Sequence, residues 1–86
     1  MYRREIVINN PSGLHARPAF ELVEKCKRFK SEVKIMNGTI MIDPKDIFSL
    51  LEGELRENAF LVIKAIGEDE KQTVDEICRF IDSLEE

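Results

Sequence analysis

His15 is the chain's one histidine, and its neighbours give it a chemistry. It sits in the run Ser12-Gly13-Leu14-His15-Ala16-Arg17-Pro18-Ala19, where a loop gives way to a helix expected to begin near Ala16. The first turn of a helix leaves backbone N–H groups without partners, and those donors with the positive end of the helix dipole form an anion site. Pro18 suits that turn because its missing N–H would have been unpaired in any case. Arg17 adds a fixed positive charge and a fork of donors matched to phosphate. Gly13 allows a sharp turn just ahead of the histidine. A neutral imidazole has a lone pair that can attack phosphorus. The resulting phosphoryl group is received by the backbone donors of the Ala16–Arg17 turn and by Arg17. The local sequence adds no second acid or base, so the pattern describes a carrier whose donor and acceptor enzymes supply the rest.

A chain of 86 residues reads as one domain over residues 1–86. Lys and Arg number 13 against 17 Asp and Glu, a net charge of −4. That balance argues against a nucleic-acid partner, which calls for a basic footprint, and leaves a protein partner open. Cys26 and Cys78 fall on apolar helical stripes and read as buried free thiols, not as a disulfide or metal site. No Cys-x-x-Cys loop or histidine cluster points to a metal, and no cofactor is implied. No apolar run approaches a membrane span, and with no secretory signal a cytoplasmic location is the default.

The elements that must position His15 follow from periodicity. Residues 2–8 alternate as a strand. Ala19, Leu22, Val23, Cys26 and Phe29 form the stripe of the first helix. Val33 and Ile35, then Asn37-Gly38, then Ile40 and Ile42 read as a hairpin. Residues 46–52 allow two helical turns, capped by Asp46 and stopped near Gly53. Residues 59–66 are a nearly continuous apolar strand. Asp69 with Gln72 reads as a capping box for a last helix whose stripe is Val74, Ile77, Cys78, Ile81 and Leu84. The order β-α-β-β-α-β-α predicts an α+β open-faced sandwich, a four-stranded sheet with three helices on one side. If Leu61, Ile63 and Ala65 face the helices, then Val7, Phe60, Val62 and Ile66 line the open face. That apolar strip could pack against a second copy of the chain.

The motif Gly13-Leu14-His15-Ala16-Arg17-Pro18-Ala19 resembles the active-site signature of the HPr family, the histidine-containing phosphocarriers of the sugar phosphotransferase system. Phe29 with Ser31, Lys45 before the short helix, and Gly67-Glu68-Asp69-Glu70 before the last one extend the likeness across nearly the whole chain. The resemblance implies an antiparallel sheet. It also implies that His15 takes phosphate on Nδ1 from enzyme I, itself charged by phosphoenolpyruvate, and passes it to enzyme II A components. Arg17 would stabilise the phosphoryl group, and the protein would be a substrate of enzymes, not an enzyme.

The short helix is hydrophobic nearly all round, so part of it should meet a partner. Leu14, Ala16, Phe20, Ile47, Phe48 and Leu51 are the expected contacts, because the family docks its partners beside the histidine. Asp46 stands where many Gram-positive relatives carry a kinase-modified serine. It reads first as a helix cap and second as an incomplete phosphoserine mimic; a serine kinase cannot act there. Glu54 and Asn58 replace glycines common in the family, with Gly53 expected to take over the helix stop. The competing function is an HPr-like regulatory module that binds a transcription factor or metabolic enzyme. Intact His15 and Arg17 favour phosphoryl transfer.

Overall fold

Alternation at the start of the chain produces strand β1 (Tyr2–Val7), and the helical stripe that follows produces α1 (Ala16–Cys26). Strands β2 (Glu32–Asn37) and β3 (Ile40–Ile42), the short helix α2 (Ile47–Leu51), strand β4 (Phe60–Ile66) and helix α3 (Glu70–Asp82) complete the order. The structure, a computed structural model, describes residues 1–86. The strands pair as one antiparallel sheet in the order β1-β4-β2-β3. Strand β4 lies between β1 and β2, and the helices cover only the face that carries Leu61, Ile63 and Ala65, so its central place accounts for half of its apolar run.

One cluster of 20 buried residues joins that face of the sheet to the helices. Leu61, Ile63 and Ala65 of β4 lie in it with Val33 and Ile35 of β2 and Ile6 of β1. The helices supply Ala19, Leu22, Val23 and Cys26 from α1, Leu50 from α2, and Val74, Ile77, Cys78 and Ile81 from α3. Both cysteines are free and buried. Burial pushes the Cys26 thiol up to about 12, so it serves as a small apolar side chain. The opposite face keeps the expected strip: Val7, Phe60 and Ile66 are exposed, Val62 is half-buried, and Met41 joins them.

Several local readings are corrected. Helix α1 ends at Cys26, so Phe29 lies beyond the stripe and is only half-buried. The turn residues of the hairpin are Gly38-Thr39, with Gly38 at φ +62, while Asn37 stays in the strand opposite Ile40. The Asn37 amide donates instead to the Gly53 and Glu54 carbonyls at 2.9 and 3.0 Å. Gly53 does not provide a left-handed helix stop. Glu54 takes that conformation itself, at φ 54, and Gly53 is small because a methyl group there would collide with the Ile42 side chain.

The Asp69–Gln72 capping box does not form, because the Asp69 carboxylate is engaged across the fold. It accepts from the Lys30 N–H (2.9 Å), the Ser31 N–H (2.9 Å) and the Ser31 hydroxyl (2.5 Å), and so ties the start of α3 to the turn after α1. Lys45, half-buried, fastens the same turn by donating to the Phe29 and Ser31 carbonyls at 3.0 and 3.1 Å.

The hydrogen bond from the Ser31 hydroxyl, then those from the backbone of Lys30 and Ser31 and from Thr73, hold the Asp69 carboxyl down at about 2. A carboxyl lowered by folding adds stability that is complete above its ordinary value near 3.8 and is lost as pH falls toward 2. Asp69→Asn is therefore expected to be less stable than the parent at pH 7 and to lose less on acidification from pH 4 to pH 2. Urea midpoints across that range measure both effects.

Candidate functional site

The loop before α1 is built so that one residue points inward and the next three point out. Gly13 takes φ +60, a left-handed conformation that side chains resist. Its N–H donates to the Asn10 carbonyl at 3.1 Å, and its own carbonyl accepts from the Asn10 side-chain amide at 2.8 Å. The same amide donates to the Glu86 backbone oxygen at 2.8 Å, which also accepts from the Ser12 N–H at 3.1 Å. The Ser12 hydroxyl makes no hydrogen bond. Leu14 donates its N–H to the Leu55 carbonyl at 2.8 Å.

Leu14 is only 5% exposed and belongs to the core. This removes it from the expected docking contacts. Between a left-handed glycine and the helix cap, the side chain has the interior as its only apolar destination, and the bond to Leu55 fixes it there. The pattern of the sequence carried no sign of this, because Leu14 precedes the helical stripe and cannot be assigned a face by periodicity.

His15 is the residue that caps α1, with extended backbone (φ −82, ψ −171) and a side chain that makes no capping hydrogen bond. The imidazole is exposed and free. The backbone N–H groups of His15, Ala16 and Arg17 have no partner within the chain. The next residue, Pro18, is buried and has no N–H to satisfy. Arg17 is exposed, and no carboxylate lies within ion-pair distance of its guanidinium. A nucleophilic nitrogen, a helix start with unused donors and an unpaired guanidinium are thus brought together on the surface. No group of His, Cys, Asp or Glu is arranged to hold a metal ion.

Of the other expected contacts, Ala16 is exposed, and Phe20, Phe48 and Leu51 are exposed by 62, 70 and 48%. Ile47 is half-buried and packs on the core. Helices α1 and α2, which carry these side chains, touch each other. Asp46 caps α2: its carboxylate accepts from the Phe48 N–H at 3.0 Å.

Sequence comparison matches residues 2–83 to the family described as the PTS HPr component phosphorylation site. The phosphocarrier protein HPr of Buchnera aphidicola (subsp. Baizongia pistaciae) is 38% identical over 84 residues, covering 98% of this chain and 99% of that one. The phosphocarrier protein HPr of Borreliella burgdorferi is 36% identical over the full length of both. Among solved structures, HPr from Thermoanaerobacter tengcongensis superposes with a TM-score of 0.90 at 26% identity, covering 96% of this chain and 93% of that one.

The loop geometry sets a stringent test. A methyl group at Gly13 would lie 2.8 Å from the Arg56 Cα and collide with the Leu55 carbonyl oxygen, at a φ that side chains resist. Gly13→Ala is expected to cost on the order of 1–3 kcal/mol, read as a lower urea midpoint.

Proposed function

The chain belongs to the HPr family of the phosphotransferase system, and from that premise we propose that it carries a phosphoryl group on His15 between two proteins. The carrying observation is the exposed, unbonded imidazole at the cap of α1, beside three unused N–H groups and the unpaired Arg17. The imidazole lone pair forms a bond to phosphorus as the bond to the donor's leaving atom breaks, and the electron pair stays with that atom. Onward transfer repeats the step with His15 as the leaving group. The added oxygens are met by the Ala16 and Arg17 N–H groups and by the Arg17 guanidinium, which offset the new negative charge. No metal or cofactor is called on.

Relay direction follows the family: from enzyme I to enzyme II A components, in the cytoplasm, through one domain spanning residues 1–86. Ala16, Phe20, Ile47, Phe48 and Leu51 form the docking patch, since aromatic side chains exposed next to a transfer site are the anchors that protein partners use. The Asp46 carboxylate is spent on the Phe48 N–H, which supports its reading as a cap over a regulatory role.

The primary test is ³¹P NMR after incubation with phosphoenolpyruvate and a purified enzyme I. An acid-labile phosphohistidine signal is expected from the parent protein and none from His15→Ala. Absence of the signal from a folded parent, with the enzyme I active on another carrier, refutes the reading. For the docking patch, Phe48→Ala is expected to leave stability within about 0.5 kcal/mol, as for other surface changes. It is expected to raise the KM of enzyme I for the carrier roughly tenfold, the size of effect an aromatic anchor produces.

A further inference from the structure

The segment that buttresses the His15 loop carries a second free guanidinium. Leu55 accepts the Leu14 N–H, and the next residue, Arg56, packs its backbone directly on Gly13, two residues before the histidine. Arg56 is not a wandering loop residue. Its N–H donates to the Glu54 carbonyl at 2.9 Å and its carbonyl accepts from the Ala59 N–H at 3.0 Å. Asn58 then donates to the Ile8 carbonyl at 2.7 Å, and Ile8 to the Ala59 carbonyl at 3.0 Å, so the segment is fastened to the end of β1. The origin of the Arg56 side chain is thereby held against the loop that presents His15.

The side chain itself is exposed and makes no hydrogen bond or ion pair, although Glu54 and Glu57 are close in sequence. Successive Cα atoms are about 3.8 Å apart, so the His15 Cα is at most about 7.6 Å from that of Gly13. An extended arginine anchored beside Gly13 spans the remaining gap to a group on the imidazole. In a chain with a net charge of −4, two guanidiniums without a carboxylate partner, Arg17 on the helix and Arg56 on the buttressing loop, therefore originate within reach of His15.

We infer that Arg56 is a second phosphoryl-binding cation, which closes on the phosphorylated imidazole and shifts the transfer equilibrium toward the loaded carrier. The inference rests on the assignment of His15 as the acceptor. Removing the charge should weaken retention of the phosphoryl group without affecting the fold, whereas Arg17 would still support transfer.

The experiment compares parent, Arg56→Gln and Arg56→Lys proteins loaded by phosphoenolpyruvate and enzyme I. The fraction of phosphohistidine at equilibrium and its hydrolysis rate are read by ³¹P NMR, with circular dichroism as a check on folding. Arg56→Gln is expected to lower the loaded-to-unloaded ratio three- to tenfold and to flatten its dependence on salt. Arg56→Lys should restore most of the ratio. A ratio and salt dependence in folded Arg56→Gln equal to those of the parent overturn the assignment of Arg56 while leaving His15 as the acceptor. A folded parent that takes no phosphoryl group overturns both.

Discussion

Leu14 donates its N–H to Leu55 and buries its side chain, and this anchor decides which way the next residues face. With Leu14 drawn into the core, His15, Ala16 and Arg17 are turned to the surface at the moment the helix begins. The anchor needs Gly13 in a left-handed conformation and pressed against the Leu55–Arg56 backbone. It also needs the 55–59 segment held in place, which the exchange of hydrogen bonds between Ile8 and residues 58–59 provides. The loop that presents His15 is thus positioned by the adjoining end of the sheet as much as by its own helix.

Much of this was legible in the sequence because the relevant forces are local. The start of α1, the cap of α2 by Asp46 and the outward strip on β4 follow from capping preference and two-residue alternation, and the structure has all three. What escaped was decided by contacts between distant segments. Asp69 has the residue type of a helix cap, yet its carboxylate is claimed by Ser31 and Lys30, 38 and 39 residues away. Leu14 lies outside any periodic stripe, and only the Leu55 carbonyl shows where it goes. Glu54 adopts a left-handed backbone that its side chain disfavours, because the amide of Asn37 holds the carbonyls on either side of the turn. Arg56 drew no attention in the sequence because it stands 41 positions after His15 in a polar loop; its meaning comes from packing on Gly13.

The charges are arranged by the same logic. Ion pairs are gathered on the β1–α3 side, where Arg4 and Lys71 share Asp75, and around the end of α1, where Lys27 meets Glu24 and Lys30 meets Glu68. Arg17 and Arg56 are left without carboxylates. Each such pair at a surface is worth little to stability, so leaving two arginines unpaired costs the fold almost nothing. It leaves their positive field available to an arriving anion.

A carrier has to hold its cargo well enough to deliver it and loosely enough to release it, and exposure sets that balance here. Three N–H groups buried without partners would cost several kcal/mol, but at an exposed helix start water satisfies them. Under the proposed function the gain on loading would be the difference between phosphoryl oxygens and water, which is modest, so the group would stay easy to remove. Burying the site would deepen the well and trap the group. The structure avoids this by making the interior out of the neighbours, Leu14 before His15 and Pro18 after it, while His15 itself stays at the surface.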